Sequence, residues 1–169
     1  MEQKDLSRST ADAAARLLQA RGRALGEQQA VPHAMELVAT LSDVDLVNDS
    51  RSTFLDATLR SMAALQTPIV WIAGAQVAGI SAEHVQEFLR RRVVAVVFFG
   101  EVDETILEEL RTVIDAVYSA QEVRTATFLA RELASEGKTI LFSPACPSGD
   151  GFANYEERGA EFKRAVRDL

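Results

Sequence analysis

The chain has 169 residues, a formal net charge of −7 at pH 7 and a single cysteine. This length predicts one domain, or one domain with an extra helix, and the cysteine count excludes an intrachain disulfide. The acidic balance argues against a nucleic acid or an anionic membrane as partner, because both require a basic surface. The sequence has neither an apolar run of the roughly 20 residues that cross a membrane nor a secretory core, so we expect a cytoplasmic protein.

Hydrophobic periodicity and turn residues predict helices and strands that alternate along the chain. A serine cap predicts a first helix from Ser9 to about Leu25, and residues 1–30 are assigned to this N-terminal helix. Apolar runs predict six strands, at Met35–Leu41, Val44–Val47, Ile69–Ala73, Val93–Phe99, Ala116–Tyr118 and Thr139–Phe142. Further helices are predicted at Ser52–Leu65, from Ser81, at Asp103–Val113, from Ser119 to about Ser135 and at Asn154–Val166.

The order of these elements predicts an α/β fold. Strands that alternate with helices form βαβ units and a mainly parallel sheet with helices on both faces. The first two strands are joined at Ser42-Asp43, which predicts a hairpin and therefore one antiparallel member. Ser81 is expected to cap one helix, and Ser119 with Glu122 to form a capping box for another.

The turn from Asn48 to Thr53 is the first candidate site. It offers Asp49, Arg51, three hydroxyls and the free N–H groups at the start of a helix. A helix N-terminus favours phosphate or carboxylate, and a guanidinium adds a bidentate contact. The alternative is helix capping, with Thr53 and Asp56 as the capping box. The sequence by itself leaves both interpretations open.

Two further turns follow predicted strand ends. Gly74 to Gly79 carries no charged group, so a plain connector is the simpler interpretation of its two glycines. Ser143 to Phe152 combines two prolines, two glycines and the polar side chains Ser148 and Asp150. A rigid polar loop at the carboxyl end of a strand is either a binding site or a shaped turn, and both stay open.

Several other features are set aside. The run Arg90-Arg91-Arg92 is interpreted as a solvated helix end. His33 and His84 are far apart in sequence and lack the clustered ligands of a metal site. Cys146 has no histidine placed to activate it. Gly137-Lys138-Thr139 leads into a strand, whereas a phosphate-binding loop opens a helix. We therefore assign no catalytic and no metal-binding residue.

The most specific motif follows the last strand. Ser143-Pro144-Ala145-Cys146 is followed, in order, by Ser148, Asp150, Phe152, Asn154, Tyr155, Glu156, Arg158, Gly159 and Phe162. Upstream stand Pro32-His33 with Met35-Glu36, and Val47 to Thr53. Across residues 31–169 these motifs resemble the C-terminal domain of the Mur ligases, in particular the ligases that add D-glutamate in peptidoglycan precursor synthesis.

The resemblance implies a Rossmann-like domain that closes over a central ATPase domain. In the family, ATP phosphorylates a carboxylate of the substrate, and the amine of the incoming amino acid attacks the acyl phosphate. Carried over by motif, Asp49 would face the nucleotide. Thr53, Ser148 and Tyr155 would face the carboxylates of D-glutamate, and Arg51 stands where the family has a lysine near the phosphate.

Four positions depart from the family pattern. Ala34 replaces an arginine, Arg51 a lysine, Phe54 an asparagine and Val77 a lysine that would pair with the carboxylate of the amino acid. Loss of a charged partner costs about 1.5–3 kcal/mol of binding free energy. The sequence thus keeps the scaffold residues while several ligand groups are absent.

The sequence also contains no Walker A loop, and phosphoryl transfer requires a backbone that cradles the phosphates together with magnesium ligands. ATP and magnesium would require the family's central domain, so we expect no cofactor in this chain and no ligase activity from it alone. Two hypotheses follow. One is an amino-acid-binding domain of a D-glutamate-adding ligase; the other is a free-standing, non-catalytic paralogue that binds a partner protein in a regulatory or interaction role.

The expected partners differ between the two hypotheses. The first implies D-glutamate and a Mur ligase ATPase domain, and the second another cell-wall protein. The N-terminal helix carries an apolar stripe, formed by Ala13, Leu17, Leu18 and Leu25. This stripe could pack on the sheet or on a second chain, so a homodimer also stays open.

Overall fold

Six strands form one sheet in the computed structural model, which describes residues 31–149 and 151–169. The strands are β1 Glu36–Leu41, β2 Val44–Asn48, β3 Ile69–Gly74, β4 Val93–Phe99, β5 Ala116–Ala120 and β6 Thr139–Phe142. Their order across the sheet is β1-β2-β6-β3-β4-β5. The predicted N-terminal helix, its apolar stripe and the boundary at residue 30 lie outside the described residues and stay predictions.

Five helices connect or follow these strands in the described part of the chain. They are α1 Leu55–Ala64, α2 Glu83–Arg92, α3 Glu104–Leu110, α4 Val123–Leu133 and α5 Tyr155–Arg167. Each lies within a few residues of its predicted position. The six predicted strands are confirmed as well, with small shifts at their ends.

The sheet is parallel except for one pair. β1 and β2 are antiparallel, whereas β2 with β6, β6 with β3, β3 with β4 and β4 with β5 all run parallel. Ser42 and Asp43 join the first pair and both have positive φ, of 50° and 58°. Two such residues in succession make the turn that matches the twist of a hairpin. The predicted hairpin and the predicted parallel sheet are therefore confirmed.

The two faces of the sheet carry separate apolar cores. In β3, Ile69, Trp71 and Ala73 contribute to one core, together with residues of α1, α2 and α3. Val70 and Ile72 point to the opposite core, which α4 and α5 cover. All five of these side chains are fully buried. A strand covered on both faces must be apolar throughout, which explains the uninterrupted run in the sequence.

The carboxyl ends of three strands lie side by side at one edge of this sheet. β2 ends at Asn48, β6 at Phe142 and β3 at Gly74. The chain leaves β2 toward α1 on one face and leaves β6 toward α5 on the other face. Open α/β sheets bind ligands at such a point of divergence. We call this region the carboxyl edge.

The predicted helix caps are wrong at three helices. α1 begins after Phe54 without a side-chain cap, so Thr53 and Asp56 do not form a capping box there. α2 begins after Ala82, also without a side-chain cap, and the Ser81 hydroxyl donates instead to Glu109 at 2.6 Å. Tertiary contacts thus compete successfully for a side chain that a local pattern assigns to capping.

The third wrong cap lies before α4. Ser119 belongs to β5 and therefore does not cap α4. That helix begins after Glu122 and has no side-chain cap. The last helix does have a side-chain cap, which was not predicted from the sequence: Asn154 Oδ1 accepts from the Glu157 N–H at 2.8 Å, and the Glu157 carboxylate accepts from the Ala153 N–H at 2.7 Å. This exchange fixes the start of α5.

We predict that Gly74→Ala lowers the free energy of unfolding by about 1–3 kcal/mol, the usual cost of overpacking. A Cβ at Gly74 would lie 2.3 Å from Cys146 Sγ and 3.2 Å from the Pro144 carbonyl oxygen. Urea unfolding measures the loss. Gly149→Ala is the matched control, because a Cβ at Gly149 meets nothing within 4 Å. Equal stability of the two variants would contradict the close contact between β3 and the loop after β6.

Candidate functional site

Asp49 is the centre of a buried network at the carboxyl edge. Its Oδ2 accepts from the hydroxyls of Ser52 at 2.7 Å and Ser143 at 2.8 Å, and its Oδ1 accepts from the Met35 N–H at 3.2 Å. The residue is 3% exposed. Ser143 also contacts the Thr58 hydroxyl at 2.8 Å. The carboxylate therefore joins the loop after β2 to the loop after β6.

A second network surrounds His33, which precedes β1. Asn48 Nδ2 lies 3.0 Å from His33 Nδ1 and 3.1 Å from a Glu36 carboxylate oxygen, and Asn48 Oδ1 accepts from the Ser50 N–H. Because an amide nitrogen only donates, these partners fix the orientation of the Asn48 amide. His33 Nδ1 is then the acceptor, and the proton of the neutral imidazole is on Nε2.

Glu36 ties this network to the last helix. Its carboxylate accepts from Lys163 Nζ at 2.9 Å and from the His33 N–H at 3.0 Å. Burial raises the pKa of Glu36. Hydrogen bonds from Lys163, His33 and Asn48, together with the Lys163 charge, lower it by more than burial raises it, so the pKa lies below its ordinary value. The ionised form is therefore the one that holds β1, β2 and α5 together.

Arg158 links the loop after β2 to the loop after β6. Its side chain is 1% exposed, and its guanidinium donates to the carbonyls of Ser50 at 3.1 Å, Cys146 at 3.2 Å and Pro147 at 3.1 Å. The planar fork of an arginine suits such convergent acceptors, whereas a lysine offers one point charge. The Ala145 N–H also donates to the Ser52 carbonyl at 3.0 Å. The loops after β2 and β6 thus form one rigid unit.

Gly159 allows α5 to approach this unit. A Cβ at this position would lie 2.2 Å from His33 Nδ1, 2.3 Å from Ser50 Oγ and 3.0 Å from Asn48 Nδ2. The helix backbone therefore rests directly on polar groups of the network around His33. A glycine costs a helix about 1 kcal/mol relative to alanine, and here the close approach explains its presence.

The structure brings the predicted ligand residues to the same edge. Arg51 is exposed, and its charge acts on Tyr155 at the start of α5. The pKa of the Tyr155 hydroxyl is raised, first by its hydrogen bond to Glu156 and then by burial and the Glu156 charge, while Arg51 opposes the shift. Thr53 and Ser148 are half-buried in the two joined loops. Their ligand roles stay predictions.

The second turn is shaped as a connector. Val77 is 5% exposed and belongs to the core beneath α2, so it presents no polar group at the edge. Phe54 shows the opposite behaviour: it is 54% exposed, with the Arg60 guanidinium 6.0 Å from its ring centroid. An exposed apolar side chain in the segment that follows Arg51 is available to a ligand or a partner.

Neither a metal-binding cluster nor a membrane-spanning helix occurs in the part of the chain that the structure describes. No group of three or more His, Cys, Asp or Glu side chains in 31–149 and 151–169 could hold a metal ion. No helix in the same ranges is long and apolar enough to cross a membrane.

Sequence reasoning missed most of the residues that build the site. Arg158 and Lys163 lie in α5, where charged residues usually face water, and Glu36 is a charged residue at the start of β1. A signal existed for Arg158: it lies next to Gly159, four residues before the buried Phe162, and thus on the inner face of α5. For Glu36 and Lys163, which are 127 positions apart, the sequence holds no such signal.

We predict that Arg158→Met lowers the free energy of unfolding by about 1–3 kcal/mol, because buried carbonyls lose a charged donor. Arg164→Met is the matched control on the same helix: its partner is Glu161 and its side chain is 53% exposed. The control should change the free energy by no more than about 0.5 kcal/mol. Urea unfolding measures both, and equal losses would refute the role of Arg158 as a clamp.

We also predict a pH-dependent contribution from Glu36. Its pKa is lower in the folded protein than in the unfolded chain, so it stabilises the fold above its ordinary pKa of 4.5 and this contribution is lost as the pH falls through the lower folded value. In urea unfolding from neutral to acidic pH, Glu36→Gln should therefore lose less stability than the parent. Glu104→Gln, whose ion pair with Arg111 is exposed, should follow the parent; a parallel curve for Glu36→Gln would contradict the prediction.

Known proteins resemble this chain in sequence. No protein-family model matches it. The UDP-N-acetylmuramoylalanine--D-glutamate ligase of Pelodictyon phaeoclathratiforme is 37% identical over 143 residues, which are 85% of this chain and 31% of that protein. The ligase of the same name from Chlorobium limicola is 39% identical over 147 residues, 87% of this chain and 31% of that protein. The chain therefore spans about a third of the length of the curated relatives it matches.

Solved structures share the fold. MurF from Acinetobacter baumannii matches with a TM-score of 0.51 at 13% identity, over 85% of this chain and 31% of that one. MurC from Thermotoga maritima matches with a TM-score of 0.50 at 15% identity, over 88% and 36%. At this identity the likeness concerns the fold alone, whereas the sequence relatives give the family. The chain belongs to the Mur ligase family and has the fold of that family's C-terminal domain.

Proposed function

We propose that this chain is the amino-acid-binding domain of a ligase that adds D-glutamate in peptidoglycan precursor synthesis, in the cytoplasm. The sequence relatives named for this reaction support the proposal. The observation that carries it is the rigid carboxyl edge, where Arg158 and Asp49 lock two loops and leave Arg51 exposed beside Tyr155. A site held in advance binds without a large cost of ordering its loops.

The chemistry of this edge suits a carboxylate. Arg51 contributes a guanidinium that has no ion-pair partner among the described residues, and α1 begins just after it without a side-chain cap. Free N–H groups at a helix N-terminus and a guanidinium both favour an anion. D-Glutamate has two carboxylates, and the hydroxyls of Thr53, Ser148 and Tyr155 are the neutral donors that would hold the second.

ATP chemistry belongs to other residues in this proposal. Asp49 would act toward a nucleotide through the loop that its carboxylate holds, since both its oxygens already accept hydrogen bonds. The sequence contains no phosphate-binding loop, and such a loop with magnesium is required for phosphoryl transfer. These residues alone would therefore bind the amino acid without ligating it, and ATP and magnesium would be held by an ATPase domain.

A second candidate is a non-catalytic paralogue that binds a protein partner, such as a Mur ligase ATPase domain or another cell-wall protein. Two side chains favour it. Val77 is buried where the family resemblance expects a lysine for the ligand carboxylate, and Phe54 is exposed where it expects an asparagine. An exposed aromatic ring beside an arginine is a typical anchor in protein interfaces.

We predict that D-glutamate produces saturable amide shifts in Asn48–Thr53 and Ser148–Tyr155 at millimolar concentration, measured by NMR on the full chain. Arg51→Gln should weaken this binding about tenfold or more, because a charge-assisted contact contributes about 1.5–3 kcal/mol. Arg111→Gln removes an exposed guanidinium at the C-terminal end of α3 and should leave the affinity unchanged.

Two results would overturn the D-glutamate proposal. One is the absence of saturable shifts with D-glutamate, and the other is an equal response to L-glutamate and D-glutamate that Arg51→Gln does not weaken. In the first case a Mur ligase ATPase domain should be titrated next. Shifts centred on Phe54, and their loss in Phe54→Asn, would then support the second candidate.

A further inference from the structure

A concave, arginine-rich surface lies at the opposite end of the sheet. It is a cavity of about 310 Å³ between the start of β3, the start of β4 and the last turn of α2. Its lining includes Gln66, Thr67, Arg90, Arg91, Arg92 and Val94. β3 has six residues, so the cavity is about 20 Å from the carboxyl edge. It is independent of the proposed D-glutamate site, and we call it the amino-edge cavity.

The charges around this cavity do not balance. Arg90 and Arg91 share one carboxylate, that of Glu87, at 2.7 Å and 2.6 Å. Arg92 donates to the backbone carbonyls of Met62 and Leu65, which carry no formal charge. Three guanidiniums line the cavity, and the one carboxylate that pairs with any of them, that of Glu87, is not among the lining residues described for it. An excess of two positive charges stands out on a chain whose net charge is −7.

Helix capping explains part of this arrangement and leaves part unexplained. Positive side chains at the end of α2 favourably oppose the helix dipole, and Arg92 also satisfies the last carbonyls of α1. However, Arg92 Nε is buried and has no hydrogen-bond partner among the described residues. A buried donor without a partner is costly, so capping alone does not account for the position of Arg92.

We propose that the amino-edge cavity binds a phosphate monoester. Arginine guanidiniums match the tetrahedral oxygens of a phosphate with paired donors, and a dianion would offset the two excess charges. Arg90 and Arg91 would turn part of their donors from Glu87 to the ligand, while Gln66 and Thr67 supply neutral polar groups. Arg92 joins the end of α2 to the end of α1 through the carbonyls of Met62 and Leu65, and it is therefore a positioning residue.

The apolar wall of the cavity distinguishes an ester from the free ion. Val94 is 38% exposed, although its neighbours in β4 are almost entirely buried. It lines the cavity together with Pro68, so the carbon body of an ester would cover both side chains. Covering apolar surface adds about 25 cal/mol per Å², which free phosphate cannot gain.

The test is an NMR titration of the full chain with inorganic phosphate and, separately, phenyl phosphate, at constant ionic strength. We expect saturable amide shifts confined to Gln66–Pro68 and Arg90–Val94, with the ester binding more tightly than the free ion. The double variant Arg90→Gln, Arg91→Gln should weaken phenyl phosphate binding about tenfold or more. Both side chains are exposed, at 53% and 73%, so the fold should persist.

Arg111→Gln, which removes one exposed guanidinium of an Arg–Glu pair on α3, is the matched control and should leave the affinity unchanged. Shifts spread over the whole surface, or an unchanged affinity in the double variant, would overturn the proposal. Tighter binding of inorganic phosphate than of phenyl phosphate would overturn its ester part. D-Glutamate added as a third ligand should not compete, so this result and that of the carboxyl-edge titration are distinguishable.

Discussion

The carboxyl edge depends on one buried guanidinium. Arg158 extends from α5 and binds carbonyls of Ser50, Cys146 and Pro147, which belong to two loops that follow different strands. A loop presents backbone acceptors that cannot all be satisfied within it, and burial without partners would destabilise the protein. One arginine resolves this for both loops. Because the loops leave the sheet toward opposite faces, the same contact also keeps the edge from opening.

The polar networks around this clamp serve the same purpose. Asp49 joins the loops through the hydroxyls of Ser52 and Ser143, and Glu36 joins β1 to α5 through Lys163. These groups are held by protein partners, so they build the scaffold. The groups that stay available at the surface are different ones, above all Arg51 and Phe54. A rigid support beneath a few exposed side chains is the arrangement that binding sites require.

The two ends of the sheet differ in chemistry, and this difference follows from the direction of the strands. Parallel strands place all their carboxyl ends together, and with them the polar loops that open the following helices. The amino ends receive the C-termini of helices instead, which attract positive side chains such as Arg90 and Arg91. A single domain of this architecture can therefore carry two anion-binding surfaces that do not interfere with each other.

The sequence by itself determined the fold class, the position of the described strands and helices, and the family, because apolar runs and the motif from Ser143 to Phe162 are local patterns. It failed at the caps of Ser81 and Ser119. The Ser81 hydroxyl binds the distant carboxylate of Glu109, and Ser119 belongs to β5. Only the tertiary structure showed which carbonyls Arg158 binds, that Glu36 meets Lys163 and that Val77 belongs to the core. Such contacts join residues far apart in the chain, and no local pattern encodes which of them meet.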